Sequence, residues 1–182
     1  MITKVENRDI KYPRIELRTG KLHFILPMNM KHHSIMNKYS DWISVKQDEI
    51  SKALLFSNDL KLCSRKLDEV RSLITEIVDN YSKEYGLLVN RIVLRDLTSK
   101  WGSCSAHGNL TFNKFLIYLP EHHFHYVVYH ETMHLIERKH TQKYWSIISE
   151  KYPRYKEIER ELLSYWFAIY NKNKGVHYVT ER

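Results

Sequence analysis

Cysteine is scarce in this chain: only Cys63 and Cys104 occur, far apart, which excludes the disulfide framework of a small secreted domain. Both read as free thiols, one on a predicted helix and one in a predicted loop. Five glycines and four prolines leave little material for flexible linkers. No stretch reaches the roughly 18 uninterrupted apolar residues of a membrane span, and the segment from Met1 to Arg14 lacks an apolar signal-peptide core. The expectation is a soluble, cytoplasmic protein with no membrane partner. Long runs of one charge are also missing. The 29 Lys and Arg against 21 Asp and Glu give a net charge of +8, but they occur singly or in pairs such as Arg65-Lys66 and Arg138-Lys139. The balance leaves nucleic acid open as a partner, while the scatter favours solvated helix faces.

What is present suits a globular fold. The 182 residues are 43% hydrophobic and 13% aromatic, enough for a core without disulfides or obligatory association. The expectation is a single domain over residues 1–182, with a hairpin and helices in 1–90 and strands plus a metal-binding helical part in 91–182. The oligomeric state is not legible.

Ile15-Glu16-Leu17 and Leu22 to Leu26 flank Thr19-Gly20 with near-alternating apolar positions, which predicts a β-hairpin closed by Pro27. From about Met30 to Phe56 the spacing of Ile35, Tyr39, Trp42, Ile43 and Ile50 is helical. Asn58 or Asp59 can cap a second helix whose apolar face is Cys63, Leu67, Val70, Ile74, Ile77 and Tyr81, stopped at Gly86. Strands are predicted over Arg91 to Leu97 and Asn109 to Leu119, joined by the loop Thr98 to Gly108. A helix should start near Pro120-Glu121 and run to about Glu137, and Thr141 to Asn171 should be helical with a break at Pro153.

The chemistry concentrates in His130-Glu131-Thr132-Met133-His134, an H-E-x-x-H sequence on the predicted helix. Four residues make slightly more than one turn, so both imidazoles share a face and can bind one Zn²⁺, with Glu131 reaching the metal's open position. The pattern alone arises by chance in roughly 0.05 of such chains, so context decides. It falls on a helix that also carries Val127, Val128 and Leu135 for packing, and His140 follows six residues after His134 as a third ligand. Three protein ligands plus a water is the catalytic zinc pattern. Glu157 or Glu161 is the alternative third ligand. His122, His123 and His125 read as solvated residues of the first turns, and His32 and His33 have no placed partner. Cys104 reads as a space-filler, and Tyr81, Tyr85, Trp101, Trp145 and Trp166 as packing residues.

Further runs carry a resemblance. Trp101-Gly102-Ser103-Cys104-Ser105, Gly108 to Asn113, Leu119-Pro120, Tyr126-Val127-Val128, the H-E-x-x-H pentapeptide, His140 and Tyr144-Trp145 together resemble the YgjP-like (WLM- and SprT-related) predicted metallopeptidases. The likeness is strong from Arg95 to about Trp145 and looser in the N-terminal part. It implies an α+β, zincin-like minimal domain: a small sheet packed against the H-E-x-x-H helix, with N- and C-terminal helices. It also implies zinc on His130, His134 and His140, and Glu131 as general base. In zincins the strand before the motif helix edges the cleft and can pair with an extended peptide; here that would be Asn109 to Tyr118. Thr132 stands where leucine is usual and Tyr144 where phenylalanine is usual.

The expected activity is therefore zinc-dependent hydrolysis of peptide bonds in a peptide or protein substrate, with Glu131 activating the water. Tyr144, Tyr155 and Arg138 are unranked candidates for oxyanion stabilisation. The alternative is a nucleic-acid-associated protein, either an SprT-like DNA-linked protease or a basic binding module with a structural zinc, for which Arg138, Lys139 and Lys143 are the residues to test.

Overall fold

The computed structural model describes residues 4–18 and 21–177. Six strands and six α-helices occur among them: β1 (Lys4–Arg8), β2 (Arg14–Arg18), β3 (Lys21–Pro27), α1 (His32–Lys38), α2 (Ser40–Ser57), α3 (Leu67–Tyr85), β4 (Arg91–Arg95), β5 (Gly102–Cys104), β6 (Asn109–Asn113), α4 (Glu121–Met133), α5 (Gln142–Lys151) and α6 (Tyr155–His177). The strands form two three-stranded sheets, ordered β1-β3-β2 and β4-β6-β5. In each, the central strand pairs parallel on one side and antiparallel on the other. The mixed α+β architecture agrees with the expected minimal zincin-like class. No described helix is long and apolar enough to cross a membrane.

The predicted hairpin is β2 and β3, with Arg14 opposite Ile25 and Leu17 opposite Leu22; its turn at Thr19-Gly20 lies outside the described residues. The predicted helix from Met30 to Phe56 is two helices meeting at Tyr39. α3 carries the expected face from Val70 onward, with Val70, Ile74, Ile77, Val78 and Tyr81 buried but Leu67 exposed, and ends on Gly86 at φ 64°, the left-handed cap that glycine adopts without strain.

The start of α3 differs from expectation. Asn58 and Asp59 do not begin it; the amides of Cys63 and Arg65 instead donate to the carbonyls of Tyr118 and Ile117, so this stretch is extended and Cys63 is off the helix. The predicted strand Asn109 to Leu119 is likewise shorter. The Asn113 side chain accepts from the Phe115 amide and donates to the carbonyls of Leu97 and Lys100, turning Lys114–Tyr118 into a 3₁₀ helix. The loop predicted over Thr98 to Gly108 contains β5, so Cys104 sits in a strand.

α4 is the central element. Apolar and aromatic residues bury it on nearly every side, from His123 and Phe124 to Met133, as expected of a helix with no solvated face. It packs on α3 and, at its C-terminal half, on β5. Leu110 and Phe112 of β6 are fully buried and face the same core with Gly102 and Cys104, their antiparallel partners. A second, smaller cluster joins Phe24 and Leu26 to Ile43. A third packs Ile50 and Ala53 of α2 onto Trp166 and Phe167 of α6.

Candidate metal centre

α4 stops at Met133, one turn earlier than expected. The amides of Leu135 and Ile136 bond back three residues, to Thr132 and Met133, tightening the last turn so that the chain reverses. Thr141 then caps α5 by accepting from the Tyr144 amide. His140 lies between these two turns and is carried back over α4. One ring nitrogen from each of His130, His134 and His140 consequently lies within 4.8 Å of the other two, the one group with metal-binding geometry found among the described residues. His130 Nε2 and His140 Nε2 are 3.1 Å apart.

Each ring is fixed from behind. His134 Nδ1 is 3.1 Å from the Glu137 carbonyl, and its ring stacks on Tyr144 with centroids 4.5 Å apart. His140 stacks on Trp145, which stacks in turn on Tyr155. His130 Nδ1 faces the Tyr126 hydroxyl at 3.5 Å, and that hydroxyl donates to Glu159 Oε1 at 3.0 Å. Glu159 itself is 4.0 Å from His130 Nδ1. With Nδ1 of His130 and His134 so occupied, the outer nitrogens converge as lone-pair donors, the arrangement that metal-ligating histidines adopt. Burial, then the neighbouring histidines, pulls His130 down to about 3. His134 and His140 are also lowered, chiefly by burial. All three are thus neutral at pH 7, the form that can donate to a cation.

Glu131 is buried, and that burial raises its carboxyl from 4.5 to about 8, opposed by Lys100. It fits only because residue 102 is glycine: a Cβ there would sit 2.6 Å from Glu131 Cγ. The two substitutions noted in the sequence have partners. Thr132 is fully buried with its hydroxyl on the Val128 carbonyl at 2.7 Å, and the Tyr144 hydroxyl donates to the His130 carbonyl at 2.9 Å.

These residues open on a cleft of about 560 Å³ that also meets Lys100, Trp101, Cys104, Arg138, Glu159 and Leu163. Glu157 and Glu161, the alternative ligands, are engaged elsewhere: Glu157 with Arg154, and Glu161 with His123 at 2.7 Å. His123 is correspondingly buried rather than solvated, because it packs against Tyr165. The cleft-side sheet edge is β5, not Asn109 to Tyr118, since β6 is the central strand. Of the oxyanion candidates, Tyr144 is held by His130, Tyr155 lies against Trp145, and Arg138 lines the cleft while donating to the Ala106 carbonyl. The Cys104 thiol is pushed up by burial and then by Glu131, the opposite of an activated nucleophile.

The sequence assigns no role to Tyr126 beyond its place in the family likeness, and none to Glu159 or Lys100. Tyr126 had a signal, since it lies four residues before His130 on one helix face. Glu159 and Lys100 had none, because only the packing of α6 and the turn before β5 bring them in.

No curated protein matches this chain. Among solved structures it is similar to the metallopeptidase zymogen abylysin of Pyrococcus abyssi, with 23% identity, 50% of this chain and 92% of that one covered, and a TM-score of 0.45. The YgjP-like metallopeptidase domain model matches residues 61–165, which hold α3, both turns around His140 and the whole β4-β6-β5 sheet. With more than half of its length matched, the chain belongs to the YgjP-like metallopeptidase family.

Proposed function

We propose that this protein is a zinc-dependent peptidase in which His130, His134 and His140 hold the metal and Glu131 is the general base. The observation that carries the reading is the convergence of three neutral imidazoles within 4.8 Å, beside a buried carboxylate and an open cleft. An all-nitrogen set of three protein ligands suits catalytic zinc rather than a hard, oxygen-preferring cation. Zinc bound there would supply a Lewis acid that polarises a carbonyl and brings the pKa of water down to about 7.

The protein's own groups do the rest. Glu131 takes the proton of the attacking water on its carboxylate and delivers it to the departing amide nitrogen. Lys100, and a bound cation, would favour the carboxylate form that accepts the proton. The Tyr126 hydroxyl and the Glu137 carbonyl keep the imidazoles of His130 and His134 aimed into the cleft. β5 offers its outer edge to an extended peptide, because no described strand pairs there. The substrate class supported is thus a peptide or an unfolded protein segment.

The test is metal content together with proteolysis. Protein purified without chelators should carry zinc in a one-to-one ratio; His130→Ala and His134→Ala should abolish it and His140→Ala should weaken it severely. Glu131→Gln should keep zinc and fold but lose hydrolysis by about 10²- to 10⁴-fold. An unchanged rate in that variant removes the role given to Glu131, and tight zinc in His140→Ala moves the third ligand elsewhere.

A further inference from the structure

The cleft lining is of two chemical kinds. Its charged residues are Glu131, Glu159, Lys100 and Arg138, with Glu159 4.0 Å from His130. Trp101, Val127, Leu162, Leu163, Trp166 and Phe167 form the apolar part, in which Trp101, Leu163, Trp166 and Phe167 pack as one cluster.

Helical spacing explains how the wall reaches the catalytic group. Val127 lies one turn before Glu131 on α4, so the two share a face. On α6, Glu159 is followed at three and four residues by Leu162 and Leu163, and these at four residues by Trp166 and Phe167. One face of α6 thus runs from the His130 side of the centre into the apolar part. Trp166 closes it by packing edge-on against Trp101, with ring centroids 5.2 Å apart. Trp101 in turn precedes Gly102, the residue in contact range of Glu131. The apolar wall is therefore continuous with the catalytic carboxylate on both sides of the cleft.

We infer that this apolar part of the cleft is a subsite for one large apolar side chain adjoining the scissile bond, and that the preferred substrates are peptides carrying Leu, Met, Phe or a similar residue there. The inference rests on the peptidase reading and adds the selectivity to it. A charged side chain placed against this wall would lose water without gaining a partner, whereas an apolar one would be bound by burial alone. Each methylene in such a pocket is worth about 10- to 200-fold in discrimination.

The experiment profiles cleavage of a randomised peptide library by the zinc-loaded enzyme, with cut sites read by mass spectrometry. Large apolar residues should be enriched at one position flanking the cut. Leu163, partly exposed at the wall, gives the paired variants: Leu163→Phe should shift the preference toward Ala and Ser, and Leu163→Ala toward Phe and Trp. An unselective profile, a preference for Lys or Arg, or profiles unmoved in both folded variants would overturn the subsite while leaving the peptidase standing. A binding arm separates the two readings. Zinc-loaded Glu131→Gln is titrated by calorimetry with peptides differing only in Phe or Gly at the enriched position, or at each central position in turn if nothing is cleaved. About 10-fold or tighter binding of the Phe peptide supports the subsite even without turnover; equal affinities overturn it.

Discussion

Two parts of this molecule use the same strand arrangement and hold it in different ways. In β1-β3-β2 and in β4-β6-β5 the middle strand has one parallel and one antiparallel neighbour. The middle strand β3 buries Phe24 and Leu26 against little more than Ile43, and the helix behind it leaves Trp42, Val45, Leu55 and Phe56 exposed. The middle strand β6 buries Leu110 and Phe112 in a continuous core shared with α3, α4, α5 and α6. The difference teaches where precision is needed. A metal centre tolerates errors of only about half an ångström in its supports, and the family match begins at residue 61, beyond the last residue of α2. The N-terminal part reaches the cleft from behind, through Ile50 and Ala53 on Trp166 and Phe167, and through the charge of Lys46 on Glu159.

Deleting the same ring from each middle strand gives the largest contrast. Phe112→Ala should cost about 3–5 kcal/mol and impair metal binding, because Phe112 pairs with Gly102 across the sheet and Gly102 abuts Glu131. Phe24→Ala should cost less, since its small cluster can relax, and zinc stoichiometry should remain at the wild-type value. Urea unfolding and zinc content after dialysis measure both; equal metal loss would erase the distinction between the two parts.

Gly102→Ala probes the better-packed part more finely. Its Cβ would overlap Glu131 Cγ at 2.6 Å, so the carboxylate must move while the fold and the histidines stay. A displacement of that kind should lower kcat by about 10²-fold with zinc retained. A variant with wild-type kcat would show that Glu131 does not need its present position.

Much of this arrangement was legible in the sequence, because periodicity and spacing are local. The α3 face, the Gly86 stop and the grouping of His130 with His134 follow from helical steps that packing did not overrule. Failures occurred where long-range partners decide. Cys63 fits the α3 period four residues before Leu67, yet the backbone there bonds to Tyr118 and Ile117. Phe115-Leu116-Ile117 reads as strand, but the Asn113 side chain turns it. Gly102-Ser103-Cys104 is too short to announce a strand, and the family resemblance points instead to its neighbour as the cleft edge. Glu159 reaches His130 only through the docking of α6, which no local pattern encodes.

Tyr126→Phe and Glu159→Gln test that last contact with a smaller expected effect. Removing a group that orients a ligating imidazole typically costs about 10- to 100-fold in metal affinity. Both variants should therefore weaken zinc binding in chelator competition without unfolding the core, and the double variant should be close to the more impaired single one, since Tyr126 links Glu159 to His130 and the direct Glu159–His130 approach is longer, at 4.0 Å. Unaltered affinity in both would leave His130 oriented by packing alone.

The last contrast concerns the cost of keeping Glu131 inside that core. Its carboxyl titrates at about 8 in the fold against 4.5 ordinarily, chiefly through burial. A folded-state pKa raised in this way gives stability that is complete below the unfolded value and is lost as pH rises through the folded one. In metal-free protein the wild type should therefore weaken relative to Glu131→Gln between pH 4.5 and 8, by at most about 1.4 kcal/mol per pH unit, and the gap should level off above that range. His130 acts in the opposite direction, being pulled down to about 3, but it is present in both proteins and so cancels from their difference. Urea unfolding of both in the presence of a chelator measures the gap, and one that stays constant across the range would refute the buried-carboxylate account. The same widening should persist when Phe24→Ala is added to both, because Phe24 and Ile43 form a cluster of their own and distant sites add independently.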